Sequence, residues 1–160
     1  YMQKTNATRI LDKMGIEYEV LEYDVDEDQL GAEHVAEELG ISADMTMKTL
    51  VVKGDRSGVF VCCLSGDREI DMKLLESITG DRNIETVPAS RLLSLTGYVR
   101  GGVSPLGMKK SYRILIDSHA LSKERVSMSA GKRGIQIWIK PTDVVKATNG
   151  EVKSFSREKH

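Results

Sequence analysis

Apolar spacing and end signals predict five helices along the chain. In the third, Met72, Leu75 and Ile78 recur at the three-residue spacing that places them on one helix face. Asp71 is suited to its N-cap, and Gly80 is suited to the left-handed residue that ends it. The predicted helices cover about 6–14, 31–39, 71–79, 88–95 and 141–149.

Short apolar runs between turn residues predict the strands. The runs 47–53 and 59–64 flank a loop that begins and ends with glycine, which predicts a β-hairpin. The other predicted strands are 18–23, 84–87, 113–117, 125–128 and 135–139, with a short segment at 119–123 joining two of them. Because helices and strands do not alternate regularly, we expect an α+β fold with a mixed, mostly antiparallel sheet rather than a doubly wound one.

Length and composition indicate one folded domain, which we place at residues 2–160 after setting aside Tyr1. An apolar fraction of 40% and a charged fraction of 29% are ordinary for a globular protein that needs neither disulfides nor metal. No signal-peptide pattern opens the chain, and no apolar run approaches the roughly 18 residues of a membrane helix. We therefore expect a cytoplasmic protein.

The charge balance and the cysteines narrow the function classes. A net charge of −1 and an aromatic content of 5% argue against a surface devoted to nucleic acid, but they leave room for a local basic patch. Cys62 and Cys63 are adjacent in an apolar run, so a strand would point them to opposite faces. We expect two buried structural thiols and no disulfide framework.

Most catalytic and cofactor patterns are missing from the sequence. His34, His119 and His160 are far apart, and no Cys/His cluster accompanies them, so we expect no metal site. Neither phosphate-binding glycine fingerprint is present, and no Gly-x-Ser-x-Gly motif marks a nucleophile. The acidic run 24–28 is typical of a solvated loop. We expect no cofactor, and an enzyme of this sequence would act by positioning and by backbone donors.

The segment 96–110 is the most informative one, because it combines four glycines, a proline, a serine and three basic residues. Glycine allows positive φ and a close approach of the backbone to a ligand. Free N–H groups in such a loop can converge on an anion or on a carbonyl oxygen, and the lysines that follow suit a phosphate-bearing ligand. A mobile surface turn is the alternative for this loop taken alone.

Two further features could join this loop at one site. Lys48 stands at the mouth of an apolar strand, where its ammonium is costly to bury unless it finds a partner. A lysine whose stem follows the surface to water is the alternative at that position. The segment Ser129–Gly134 is a second turn rich in glycine and basic residues.

Four motifs stand in the order of one known family. They are Lys-Thr-Leu at 48–50, Thr-Gly-Tyr at 96–98, Gly-Gly-Val-Ser-Pro-Leu-Gly at 101–107 with Lys-Lys at 109–110, and Ser-Ala-Gly-Lys-Arg-Gly at 129–134. Over nearly its whole length the chain closely resembles the YbaK/EbsC family of Cys-tRNA(Pro) deacylases. These are relatives of the editing domain inserted in bacterial prolyl-tRNA synthetases. The resemblance implies a mixed, barrel-like sheet surrounded by helices, and hydrolysis of misacylated tRNA in trans.

The resemblance also implies roles for individual residues. Lys48 would hold a phosphate of the terminal adenosine or stabilise charge at the ester, and the amides of Gly101 and Gly102 would face the aminoacyl carbonyl. The residues implied to contact the substrate are Tyr23, Thr49, Val103, Ser104, Pro105, Ser129, Gly131 and Gln136. Many relatives carry aspartate where this chain has Gln136, so a hydrogen-bonding role replaces an acidic one there. The basic patch for the acceptor stem would comprise Arg100, Lys109, Lys110, Lys132 and Arg133.

The family's chemistry agrees with the missing nucleophile motif. Its members are understood to let the substrate's own cysteine thiol attack the ester, so that catalysis comes from proximity and oxyanion stabilisation. The implied partners are the 3′ aminoacyl end of misacylated tRNA and prolyl-tRNA synthetase, with neither a membrane nor a metal. Two alternatives stay open: a deacylase of Ala-tRNA(Pro), and a tRNA- or nucleotide-binding module without catalysis.

Overall fold

The computed structural model describes residues 4–159. The predicted domain bounds, at residue 2 and at His160, lie outside the described residues. The structure confirms five helices, of which the first begins with a capping box in which the Thr5 side chain accepts from the N–H of Thr8. Gly40, Gly80 and Gly97 follow three others in the left-handed conformation. The helices are α1 (Asn6–Lys13), α2 (Ala32–Leu39), α3 (Met72–Thr79), α4 (Ala89–Thr96) and α5 (Pro141–Thr148).

The strands include every predicted one and three more. The strands are β1 (Glu19–Glu22), β2 (Met47–Gly54), β3 (Gly58–Ser65), β4 (Arg68–Ile70), β5 (Ile84–Thr86), β6 (Ile114–Asp117), β7 (Val126–Lys132), β8 (Ile135–Ile139), β9 (Glu151–Lys153) and β10 (Ser156–Glu158). The unpredicted β4, β9 and β10 have three residues each and carry mostly polar side chains. No apolar alternation marks them, because each strand has at most one apolar residue.

The largest sheet has the strand order β5-β2-β3-β6-β9. Strands β2 and β3 form the predicted hairpin, paired without interruption from Met47 opposite Ser65 to Gly54 opposite Gly58. Strand β6 is parallel to both β3 and β9, whereas β5 is antiparallel to β2. The hairpin is therefore the centre of the sheet, and β2 carries one wall of the pocket described below.

Two smaller sheets complete the fold. One has the order β1-β8-β7 and the other pairs β10 with β4, all antiparallel. A single bridge between Thr46 and Ser127 links the first of them to the start of β2. The α+β class with mostly antiparallel pairing is confirmed. Across residues 4–159 the strands do not close into one barrel, because the edge strands β5 and β9 each pair on one side only.

The hydrophobic core lies on both faces of the five-stranded sheet. Val61 and Cys63 of β3 belong to one buried cluster, while Cys62 and Leu64 belong to the other. The prediction of two buried, unbridged cysteines on opposite faces is confirmed. Within residues 4–159, no helix combines the length and the apolar character needed to cross a membrane.

Candidate functional site

A pocket of about 550 Å³ opens beside the first half of β2. Its walls are residues 46–51, the start of α2 with the two residues before it, segment 86–89 with one further residue of α4, the loop after α4, and one residue each from β7 and β8. Six segments of the chain therefore meet at this pocket. The bridge between Thr46 and Ser127 joins the start of β2 to the sheet that carries β7 and β8.

Seven of the residues singled out from the sequence line this pocket. They are Lys48, Thr49, Arg100, Gly101, Val103, Ser129 and Gln136. The three features expected to meet at one site, the lysine strand and the two glycine-rich segments, all contribute to the walls.

Lys48 is half-buried in the pocket wall, and its Nζ donates to the carbonyl oxygen of Gly66 at 3.3 Å. Burial lowers the pKa of Lys48, and the positive charge of Lys159 lowers it further. The acidic groups that oppose this shift are Glu33, Asp67 and Glu69. An ammonium with one protein acceptor has donors left for a ligand, and its partial desolvation strengthens any contact with an anion.

The backbone of the glycine-rich loop offers fewer free donors than the sequence predicts. Gly102 is buried outside the pocket, and its N–H donates to the carbonyl oxygen of Val99 at 2.9 Å. The amide of Gly102 therefore does not face the pocket, which corrects the expected pair of amides. Gly101 and Val103 line the pocket, and neither N–H has a hydrogen-bond acceptor among residues 4–159.

Gly102 instead lets the two glycine-rich segments approach each other. A Cβ at this position would lie 3.2 Å from the backbone nitrogen of Arg133. The Nε of Arg133 in turn donates to the carbonyl oxygen of Arg100 at 2.7 Å. The first loop and the 129–134 turn are thus packed backbone against backbone.

Four other predicted contact residues do not line the pocket. Ser104 and Pro105 are buried, and the Oγ of Ser104 accepts from the N–H of Leu106 at 3.2 Å, which shapes the loop. Gly131 sits in a β-bulge of β7 at a φ of 97°. Tyr23 is half-buried, and its N–H donates to Gly134. None of the four residues lines the pocket, and the contacts of Tyr23 and Ser104 named here belong to strand pairing and loop shape.

Tyr98 is the positioning residue that the sequence argument missed. Its buried hydroxyl donates to the carbonyl oxygen of Leu106 at 2.5 Å. A Cβ at Gly131 would lie 2.7 Å from the ring of Tyr98, and one at Gly107 would lie 2.9 Å from its hydroxyl. The ring therefore lies between two glycines of different segments. The Thr-Gly-Tyr motif contains the residue, but only the packing shows what it does.

Apolar residues form much of the remaining wall, namely Leu30, Val35, Leu50, Val87 and Leu92. Their periodicity is that of any core-facing helix or strand, so the sequence carries no signal that marks them for a pocket. Apolar walls exclude water and strengthen the electrostatic effect of the polar groups beside them.

The predicted basic patch is divided between two places. Arg100 lines the main pocket, and its carbonyl oxygen accepts a hydrogen bond from Arg133. Lys132, the residue before Arg133, is exposed. Lys109 and Lys110 are exposed and line a second cleft of about 370 Å³, together with residues of α1 and α5. The five cations therefore do not converge on one pocket.

Comparison with known proteins places these features in one family. The family described as the aminoacyl-tRNA editing domain matches residues 26–147. EbsC of Enterococcus faecalis, a candidate Cys-tRNA(Pro)/Cys-tRNA(Cys) deacylase, is 40% identical over 149 residues, which cover 93% of this chain and 91% of that protein. A proline–tRNA ligase of Thermosipho africanus is 34% identical over 85 residues, or 53% of this chain and 15% of the ligase.

A solved structure shows the same fold. It is a candidate trans-editing enzyme for prolyl-tRNA synthetase, and it superposes with a TM-score of 0.82 at 21% identity over 98% of this chain and 99% of that one. At this identity the likeness concerns the fold alone.

Proposed function

The chain belongs to the aminoacyl-tRNA editing family of the YbaK/EbsC type, and from this membership we propose that it hydrolyses misacylated tRNA, with Cys-tRNA(Pro) as its main substrate. The 3′ aminoacyl end of the tRNA would enter the main pocket, and prolyl-tRNA synthetase would be a second partner. The enzyme would act in trans, on tRNA that the synthetase has misacylated.

The observation that carries this proposal is that Lys48 lines one apolar-walled pocket with Gly101 and Val103, whose N–H groups have no acceptor among residues 4–159. Amide donors and a partly desolvated cation are the groups that stabilise negative charge on an ester oxygen. Both cysteines are buried away from this pocket, so neither is a candidate nucleophile.

The proposed reaction uses the substrate's own thiol. The sulfur of the cysteinyl group attacks the ester carbonyl, a sulfur–carbon bond forms, and the bond to the 3′ oxygen of the adenosine breaks. The thiol proton ends on that oxygen, and water later opens the thiolactone to free cysteine. The protein's part is to hold the acyl group in reactive geometry while Gly101 and Val103 donate to the carbonyl oxygen and Lys48 supplies positive charge.

Cysteine is the favoured acyl group because a synthetase site that admits proline rejects small residues poorly. The EbsC relative is named as a deacylase of both Cys-tRNA(Pro) and Cys-tRNA(Cys). This supports recognition of the cysteinyl group rather than of one particular tRNA. Alanine is smaller still and fits the same pocket, so Ala-tRNA(Pro) is the second candidate substrate. Its hydrolysis would require water as the nucleophile.

A deacylation panel tests the proposal. Purified protein is incubated with Cys-, Ala- and Pro-tRNA(Pro) and with Cys-tRNA(Cys), with and without prolyl-tRNA synthetase, and the loss of acyl group is measured against buffer. We expect the fastest loss from Cys-tRNA(Pro). Rapid loss from Ala-tRNA(Pro) would show that the thiol is dispensable. Tight tRNA binding with no hydrolysis of any substrate would contradict the proposal and favour a binding module.

A further inference from the structure

The main pocket contains cationic side chains and lacks carboxylates. Lys48 and Arg100 line it, and among the residues that the structure describes no aspartate or glutamate does. An aminoacyl ester carries an α-amine that is an ammonium when protonated. A pocket built for that ammonium would offer it a carboxylate, because burying a charge without a counter-charge is costly.

Gln136 is an uncharged amide side chain in the pocket wall, where a carboxylate could have paired with the ammonium. It is 7% exposed, lines the pocket, and lies opposite Ser129 in the pairing of β7 with β8. Its Oε1 accepts from the hydroxyl of fully buried Ser127 at 2.8 Å. The carbonyl end of the amide is therefore engaged away from the ligand.

The opposite orientation of this amide is unfavourable. If Nε2 faced Ser127, it would donate to the Oγ, and the hydroxyl hydrogen of Ser127 would need another acceptor. Among residues 4–159, Gln136 is the one hydrogen-bond partner found for this hydroxyl. A buried donor left without a partner costs more than a typical hydrogen bond contributes. With Oε1 bonded to Ser127, the amide nitrogen is the end of Gln136 left for a ligand in the pocket that this residue lines.

Charged groups on the neighbouring elements do not restore an acceptor. Strand β1 packs beside β8 and carries Glu19 and Glu22, which are exposed and do not line the pocket. Other charged groups near these walls are Glu33 of α2, Asp67 and Glu69 around β4, Lys159 after β10, and Lys132 and Arg133 in the 129–134 turn. Glu33 is paired with Lys159, which neutralises the acid at the start of α2.

We infer that the pocket takes the aminoacyl group with its α-amine uncharged, and that Gln136 donates a hydrogen bond to the lone pair of that amine. The inference rests on the proposed function and adds a protonation state to it. An α-amine titrates at about 7.7–8.0 in peptides, so both forms of the substrate are present near neutral pH. Gln136 then acts as a specificity residue that selects between them.

The test compares the cysteinyl ester with its α-hydroxy analogue on the same tRNA. The analogue keeps the thiol and replaces the amine with a hydroxyl group, so the titration of the enzyme cancels in the ratio of the two kcat/KM values. For the native protein the ratio is expected to rise about tenfold per pH unit below the pKa of the amine and then level off. A ratio that is flat, or that falls with pH, overturns the inference.

The Gln136→Glu variant tests the residue itself. Its carboxylate keeps an acceptor for Ser127 and supplies the counter-charge that the ammonium lacks, so the ratio at pH 6 is expected to rise by about tenfold or more over the native value. Gln29→Glu is the matched control, because it adds the same charge at an exposed residue outside the pocket walls. An unchanged pH slope in Gln136→Glu, with its fold verified by circular dichroism, overturns the role of Gln136.

These results separate the inference from the proposed function. Hydrolysis of both esters with a ratio that does not follow the amine overturns the inference alone. No hydrolysis of either ester at any pH overturns the proposed function, and the inference with it.

Discussion

A Cβ added to Gly131 would lie 2.7 Å from Cε1 of Tyr98, so the tip of the second glycine-rich turn rests directly on a ring from the first. Tyr98 also donates its hydroxyl to Leu106 at the far side of its own loop. One buried side chain therefore sets the relative position of the segments that carry Gly101 and Ser129.

Gly131→Ala should lower both stability and activity. The left-handed backbone alone costs a non-glycine residue about 1–2 kcal/mol, and the clash with Tyr98 adds to that cost. Gly15→Ala is the control, because Gly15 has a φ of 70° but no atom within 4 Å of the added Cβ. Urea unfolding should show the larger loss of free energy of unfolding for Gly131→Ala, and deacylation should fall in that variant only. Equal losses in the two variants would contradict the packing argument.

Lys48→Met should reduce deacylation by about 10²–10³-fold while leaving the fold intact. Methionine keeps the apolar stem in the wall and removes only the charged donor. The matched control is Lys53→Met, at an exposed position on the same strand. Single-turnover rates and circular dichroism measure the two effects. Retained activity in Lys48→Met would remove this residue from the proposed mechanism.

Asp81 should make stability depend on acid pH. Burial by itself would raise the pKa of Asp81, but hydrogen bonds from Ser57 and from the N–H of Arg56 outweigh it and hold the pKa well below its ordinary value. A depressed folded-state pKa contributes stability above the unfolded pKa of about 3.9, and that stability is lost as the pH falls. The native protein should therefore exceed Asp81→Asn in free energy of unfolding at pH 7, and the difference should shrink towards pH 3.

An exposed carboxylate provides the comparison for that measurement. Asp24→Asn removes the same charge from an exposed loop. Its difference from the native protein should stay small over the whole pH range. A pH-independent difference for Asp81→Asn would show that the loss comes from hydrogen bonding alone and not from ionisation.

The two cysteines should be inert to alkylation in the native state. Burial raises the pKa of Cys63 to about 12, and burial with the nearby charges of Cys63 and Asp117 raises the pKa of Cys62 further. The reactive thiolate is then almost absent at pH 8. Iodoacetamide followed by mass spectrometry should find no modification of native protein and two modified cysteines in denaturant. Native modification with loss of activity would bring a cysteine back as a candidate nucleophile.

Arg100 and the Lys109–Lys110 pair line different clefts. We therefore expect Arg100 to bind the aminoacyl end of the tRNA and the two lysines to bind the rest of the tRNA. Arg100→Ala should weaken binding of both a full tRNA and a short acceptor-end oligonucleotide, because Arg100 lines the pocket. The double variant Lys109→Ala with Lys110→Ala should weaken binding of the full tRNA only. Each lost phosphate contact should reduce the slope of log affinity against log salt by about 0.7–0.9. Equal effects of both variants on the short oligonucleotide would contradict the division.

The parts of the fold that depend on neighbouring residues in the chain are predictable from sequence. The caps at Thr5 and Asp71 and the glycines that end the helices act within one helical turn, so their residue types are sufficient. The hairpin of β2 and β3 follows from two apolar runs and a short loop between them. Strands such as β4 and β10 escape prediction, since their hydrogen-bond partners lie 88 residues apart, as between Arg68 and Ser156.

The sequence by itself determined the family, the fold class and the three segments that meet at the pocket, because each motif is a local run of residue types. Only the tertiary structure decided which groups in those segments reach the pocket. Gly102 donates to Val99 and Ser104 accepts from Leu106, so both face inwards, while Val103 between them faces the pocket. The direction of a donor depends on which acceptor packing brings within about 3 Å, and a linear pattern does not contain that distance.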